Sequence, residues 1–401
     1  MKVKRLQYAM VGGAKGSFIG PIHRMAIRMD DLADLVAGCF SRDPKANVVS
    51  GEKLSLDPTR VYSDWKKLIA AEADRLDFLV VCTTNETHYP IAKAALEAGL
   101  DVFCEKPLSL TVKEAEELGR IAKRKRLVLG IPFTYTGYPM VKLARDLVKK
   151  GELGKIDKVV LEYVQGSFRK IDFTKPLDKR NAWKMNPKVS GPSCVVADIG
   201  VHAFTMIEYV TGLEAKTLLA DLSSFAPGNR LDDDASILMR LAEPSRSEAR
   251  ERSGTRGATS SRTAKDSSST AKASLVVSKI ATGEENGVRL RVYGDKASLF
   301  WDQESPNYLS VKYPLKPEMT FKRKAPYIAD LSDGAQRASR FPAGHHEGFV
   351  EALGNIYDEF IAAVVSRKTR DFPGVCAGIR SMRFVEAALK SAKSGSRWTK
   401  I

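Results

Sequence analysis

Between residues 6 and 150, short runs of β-forming residues alternate with longer helical patterns, and few folds accept that alternation. The strand candidates are 6–11, 35–40, 78–82, 101–104 and 128–131. Helical patterns run between them, among them 112–125 and 89–98, the latter closed by Gly99 as a C-terminal cap. Such a repeat buries parallel strands beneath helices on both faces, so the first part of the chain is expected to form a Rossmann, doubly wound parallel sheet. Ligands of these sheets bind at the carboxyl ends of the strands.

Beyond residue 150 the strands lengthen and the helices thin out: 156–165, 216–225, 235–241, 275–280, 288–293, 299–302 and 308–313 read as strands. That pattern predicts an α+β domain on a largely antiparallel sheet, with helices over 345–365 and 375–394 closing the chain. The expected division of the 401 residues is 1–133 and 134–401. Segment 244–273 is rich in Ser, Thr, Ala, Arg and Gly and has too few large apolar residues to join a core. Its flanks are strand-like, so it is expected to be the disordered tip of a hairpin; a basic docking loop is the alternative.

Composition removes several function classes. With 43% hydrophobic and 28% charged residues and no apolar run of transmembrane length, the chain reads as globular rather than membrane-spanning. The apolar stretch before Gly12 is too short for a signal-peptide core, and a cytoplasmic location is expected. Cys39, Cys82, Cys104, Cys194 and Cys376 are widely spaced, without metal-ligand spacing, and read as reduced and buried. The net charge of +16 raises nucleic acid as a partner, but the basic residues are interleaved with acids, as in 113–126, so a solvated basic surface is expected instead.

The first strand runs into Gly12-Gly13-Ala14-Lys15-Gly16-Ser17-Phe18-Ile19-Gly20 and then a helical pattern. Glycines let the backbone approach a pyrophosphate, and the helix N-terminus that follows offers N–H groups to its charge. The second strand ends in Phe40-Ser41-Arg42-Asp43, where an NAD-specific site commonly carries an acid. A hydroxyl beside a guanidinium suits a 2′-phosphate, so the reading is NAD or NADP with a lean to NADP; Arg42 over the adenine or in solvent is the alternative. Two further strands end in Thr83-Thr84-Asn85-Glu86-Thr87-His88 and Cys104-Glu105-Lys106-Pro107. Asp198 and His202 lie four residues apart at the start of a helical pattern, a spacing that sets both on one face.

These segments resemble the Thr-Pro-Asn-x-x-His and Glu-Lys-Pro motifs of the glucose-fructose oxidoreductase and inositol dehydrogenase (Gfo/Idh/MocA) family. The similarity continues through Gly20-Pro21-Ile22-His23, Trp183-Lys184, Asp198-Ile199-Gly200-Val201-His202 and the Gly294-Asp295-Lys296-Ala297-Ser298-Leu299 turn. Departures are Thr84 for the usual proline, Lys184 for a frequent arginine, and a longer glycine loop.

The resemblance implies an NAD(P)-dependent dehydrogenase acting on a secondary alcohol of a sugar or cyclic polyol. Its cofactor would lie on Gly12, Gly13, Gly16, Ser17, Phe18, Ile19, Ser41, Arg42, Thr83, Asn85, His88, Glu105 and Lys106. Lys106 would hold the reacting oxygen, His202 would take the hydroxyl proton, and Asp198 would orient His202. Tyr135, Tyr138 and Trp183 are either sugar platforms or core, and Lys184 is expected near the substrate. His23 is expected to support the glycine loop and His88 the nicotinamide side. His345 and His346 are expected to open a helix and either reach the sugar or cap it. The family also implies a homodimer or homotetramer formed through the open face of the second sheet. A non-catalytic sugar or nucleotide sensor of the same fold is the rival reading, although it has no chemical need for Lys106, Asp198 and His202 together.

Overall fold

The structure is a computed structural model that describes residues 5–245 and 271–401. The chain divides into two compact units, one built from Met1–Thr134 with Phe349–Met382 and the other from Tyr135–Gly348 with Arg383–Ile401.

In the first unit five strands, β1 (Leu6–Gly12), β2 (Ala33–Cys39), β3 (Phe78–Cys82), β4 (Asp101–Cys104) and β5 (Leu129–Gly130), form one sheet in the order β2-β1-β3-β4-β5. Every neighbouring pair is parallel. All residues of β3 and β4 are buried, as strands covered on both faces must be, which is why their sequences are continuously apolar except for Asp101. The helix Val112–Lys125 has the expected bounds: Thr111 and Glu114 form a capping box at its start, three basic residues sit in its last turn, and Arg126 ends it at φ 58°. Strand order reverses between β1 and β3, so their carboxyl ends open the crevice of the sheet.

One difference from the expected division is that residues 349–382 cluster with the first unit. The helix Phe349–Ser366 brings Tyr357 and Phe360 into the core of Tyr8, Phe78 and Phe103, and the Phe103 and Tyr357 rings stack at 4.1 Å. Two large aromatic side chains buried on one helix face make this its natural core.

The second unit carries β6 (Ile156–Val164), β7 (Glu214–Ser223), β8 (Asp234–Ala242), β9 (Ala271–Ser278), β10 (Gly287–Gly294), β11 (Ser298–Asp302), β12 (Tyr308–Tyr313), β13 (Lys316–Lys322) and β14 (Thr399–Lys400). Their order is β13-β12-β11-β10-β6-β9-β8-β7-β14, antiparallel throughout except for the parallel pair β6 and β9. Burial alternates along β8 and β9, with Ile237, Met239, Leu275 and Val277 inward and Leu238 and Val276 partly exposed. The hairpin of β8 and β9 is present, with Leu241 opposite Ala271. Residues 271–273, expected in the disordered tip, are instead the first three of β9; 246–270 lie outside the described residues. Strand β13 was not legible because nearly every residue of Lys316–Lys322 is exposed and carries no alternation. No helix among the described residues is long and apolar enough to cross a membrane. None of the five cysteines is in a disulfide; four are buried and Cys376 is half-buried.

Candidate active site

In the first unit the glycine loop is shaped by contacts that only glycine allows. Gly12 has φ 88°, and a Cβ there would meet the Cys82 carbonyl oxygen at 2.1 Å, so the ends of β1 and β3 can approach only without a side chain. Gly13 and Gly20 face each other in the same way, since a Cβ on Gly20 would lie 2.4 Å from the Gly13 Cα. Arg24 secures the turn by donating to the Gly13 carbonyl at 2.9 Å, and the Ser17 hydroxyl accepts from the Gly20 N–H at 3.3 Å. The helix Ile19–Arg28 starts with no acidic residue in its first turn and no side-chain cap on Phe18. Gly16, at φ 90°, has nothing within 4 Å of its Cβ position. Open backbone, a helix start without an acidic residue and the strand-order reversal together fit a dinucleotide pyrophosphate.

At the end of β2 the Asp43 carboxylate caps the next helix, accepting from the Lys45 N–H at 3.0 Å, while the Ser41 hydroxyl accepts from the Asp43 N–H at 3.1 Å. Arg42 is exposed and has no ion pair among the described residues. The acid at the end of β2 is therefore committed to the helix, and the residue before it is the exposed Arg42.

At the ends of β3 and β4 the Lys106 segment is pinned from two sides. Glu105 accepts from the Lys106 N–H at 3.1 Å, and His88 Nδ1 lies 2.7 Å from the Pro107 carbonyl oxygen, across a cis Lys106–Pro107 bond. Burial pushes the His88 imidazole below its usual range, against its two carbonyl contacts and the nearby Glu105. The Thr87 hydroxyl donates to the Thr83 hydroxyl at 2.7 Å, closing the turn that carries Asn85.

His23 is not on the glycine loop, contrary to expectation. Its Nε2 lies 2.8 Å from Glu105 Oε1 and its Nδ1 2.6 Å from the Tyr357 hydroxyl, while Arg24 takes the loop. Burial alone would raise the Glu105 carboxyl, but the His23 hydrogen bond and the charges of His23 and Lys106 outweigh it and hold the group below its ordinary value. An ionised carboxylate only accepts, so His23 Nε2 donates to Glu105, while Nδ1 lies within hydrogen-bond distance of the Tyr357 hydroxyl. Tyr357, His23 and Glu105 thus form one buried chain of hydrogen bonds ending at the backbone of Lys106.

In the second unit Asp198 sits in a π-helical turn, Val196–Gly200, that runs directly into the helix Val201–Thr211 bearing His202. The turn is held at its start by Asp232, which accepts from the N–H groups of Cys194 and Val196 at 2.8 and 3.0 Å and from the Ser193 hydroxyl at 2.9 Å. The N-cap position of that helix is Gly200, and Asp198 Oδ2 meets the Lys279 ammonium at 2.6 Å. Around His202 pack Tyr135 and Tyr163, with ring centroids at 5.4 and 6.5 Å. The two tyrosine hydroxyls lie 2.6 Å apart and both bond Asn286. Tyr135 and Tyr138 are both buried, Tyr135 against His202 and Tyr138 against Trp301. Trp183 is half-buried beneath the Lys184 ammonium, 5.8 Å from its ring.

His345 and His346 do not open a helix, because that helix begins at Phe349. They are exposed on the preceding loop, which a buried pair holds in place: Arg323 and Glu347 meet at 2.8 Å with both side chains 2% exposed. Arg323 also donates to the Phe341, Pro342 and His345 carbonyls. Neither this clamp nor Lys279, Tyr357, Asp232 or Asn286 carried a motif in the sequence. Lys279 did stand out as a charge just after the apolar run Leu275-Val276-Val277, the one signal available.

Comparison with known proteins agrees with this geometry. Residues 6–133 match the Gfo/Idh/MocA oxidoreductase family, NAD-binding Rossmann fold, and residues 145–401 match its C-terminal alpha/beta domain. The chain is 32% identical to the uncharacterized oxidoreductase YfiI of Bacillus subtilis over 99% of its own length and 97% of that protein's. An inositol dehydrogenase homolog from Azotobacter vinelandii, complexed with NAD+, superposes with a TM-score of 0.87 at 32% identity, covering 99% of this chain and 98% of that one. The same homolog complexed with NADH and myo-inositol gives a TM-score of 0.84 at 32% identity, with the same coverage. With both halves of the family matched in order and the glycine loop, the Lys106 segment and the Asp198 turn all built, this chain belongs to the Gfo/Idh/MocA family of oxidoreductases.

Proposed function

We propose that the chain catalyses reversible oxidation of a secondary alcohol on a sugar or cyclic polyol, coupled to NAD(P). The observation that carries the reading is the double pinning of the Lys106 segment at the carboxyl end of β4, by Glu105 on one side and His88 on the other. A flexible lysine needs no such frame; one that must meet a reacting oxygen does. The complex of the Azotobacter homolog with NADH and myo-inositol supports the polyol class.

Bound nicotinamide supplies the hydride acceptor. The Lys106 ammonium stabilises the negative charge that grows on the substrate oxygen, His202 takes the hydroxyl proton, and Asp198 orients His202 and a neighbouring hydroxyl. Gly12, Gly13, Gly16, Ser17, Phe18 and Ile19 hold the pyrophosphate; Thr83, Asn85, His88 and Glu105 shape the nicotinamide end. Ser41 and Arg42 take the ribose side, with a preference for NADP. Trp183 and Lys184 border the sugar. The protein acts in the cytoplasm as a homodimer or homotetramer built on the partly exposed Leu238, Val276 and Tyr293 of the second sheet.

The test is a spectrophotometric screen of sugars, anhydrosugars and inositols with NAD and NADP, read at the reduced-nicotinamide band. Turnover of at least one of them is expected; protein that binds reduced cofactor yet oxidises none would overturn the reading.

A further inference from the structure

Lys279 is a buried lysine that the reaction described above does not use. It follows β9, and its backbone is fixed on both sides: its N–H donates to the Asp233 carbonyl at 2.8 Å and its carbonyl accepts from the Phe168 N–H at 2.9 Å. The side chain is 4% exposed, its ammonium lying 5.0 Å from the Phe168 ring centroid, 3.7 Å from Cys194 Sγ and 2.6 Å from Asp198 Oδ2. Burial pushes the Cys194 thiol up to about 11, against the pull of Lys279, so the thiol stays protonated and the charge the ammonium meets is that of Asp198. Burial would lower the Lys279 ammonium too, but the Asp198 and Cys194 interactions hold it above its ordinary value.

A cation at this depth loses its hydration and is costly unless it is paired. An apolar side chain of similar length would fill the space beside Phe168 without that cost. What the ammonium adds is a fixed bearing for one carboxylate oxygen and a countercharge for the group. Asp198 lies in a π-helical turn rather than a regular helix, so its direction is set less by its own backbone ladder than by such contacts.

We propose that Lys279 is a positioning residue of the reaction: it holds Asp198 Oδ2 and so sets the direction and charge with which Asp198 serves His202 and the substrate hydroxyl. This rests on the role given to Asp198 above. Nothing in Lys279 itself touches the substrate; it acts through Asp198.

Three variants test it: Asp198→Asn, Lys279→Met and the two combined, each assayed for kcat, KM and reduced-cofactor affinity on a sugar that the parent oxidises. Lys279→Met is expected to lower kcat at least ~10-fold while cofactor affinity stays within about 2-fold, as befits loss of orientation rather than of binding. The double variant is expected to match Asp198→Asn within about 2-fold, because a residue acting only through Asp198 has nothing left to orient. It also leaves no unpaired buried charge, so it folds even if one single variant does not. Losses that multiply would overturn the proposal, as would Lys279→Met at the parental rate beside a crippled Asp198→Asn. Parental turnover by Asp198→Asn would instead overturn the role of Asp198 itself, as would a parent that oxidises none of the sugars, and Lys279 would lose its function with it.

Discussion

His23 holds the Glu105 carboxylate at 2.8 Å, and through the other carboxylate oxygen it governs the backbone of Lys106, 83 residues away in sequence (106 − 23). Glu105 ionises below its ordinary value because the contacts with His23 and Lys106 outweigh burial. The folded carboxyl therefore contributes stability that is fully present above the unfolded value of about 4.3 and is lost as pH falls through the folded one. Glu105→Gln should be less stable than the parent at neutral pH, with the gap in unfolding free energy closing on acidification. Urea titrations across that range check it, and a gap that does not change with pH contradicts it.

Two glycines of one loop should respond differently. Gly16→Ala meets open space and should cost about 1–2 kcal/mol for its left-handed backbone alone. Gly12→Ala adds a clash with the Cys82 carbonyl that cannot be relieved without parting β1 from β3, so it should unfold at markedly lower urea concentration or fail to fold. Equal midpoints for the two would contradict the packing.

Glu347→Ala should destabilise the second unit by about 3–5 kcal/mol, because it leaves the Arg323 guanidinium buried and unpaired. Amide exchange should rise over 338–348, the loop bearing His345 and His346. A variant with parental stability and unchanged exchange would show that the clamp is not needed.

Much of the fold was legible where local sequence and tertiary environment agree. Strands β3 and β4 have the bounds their apolar runs predict, and Val112–Lys125 has the bounds of its capping box and basic end. Lys106, Asp198 and His202 were marked by their motifs. What escaped are pairings between distant segments, such as Tyr357 with His23, 334 residues apart, and Lys279 with Asp198, 81 apart. A hydrogen bond across that separation leaves no periodicity in either segment. His23 was assigned to the neighbouring glycine loop for the same reason: sequence proximity favoured the loop, whereas the helix Ile19–Arg28 turns Arg24 toward it and His23 toward Glu105.

Cofactor preference should turn on Ser41 and Arg42. Replacing Ser41 by Asp and Arg42 by Ala should shift the ratio of kcat/KM values from NADP toward NAD, since a carboxylate accepts from a ribose 2′-hydroxyl and repels a 2′-phosphate. A parent that already ignores NADP would show that Arg42 does not read the phosphate.

The proposed reaction requires that Lys106 act on the reacting oxygen rather than serve only to hold the cofactor. Lys106→Ala, assayed beside the parent on the same sugar, should lose about two to four orders of magnitude in kcat while its affinity for reduced cofactor, followed by nicotinamide fluorescence, stays within about 3-fold. Turnover within a few fold of the parent, or loss of cofactor binding in step with turnover, would contradict it.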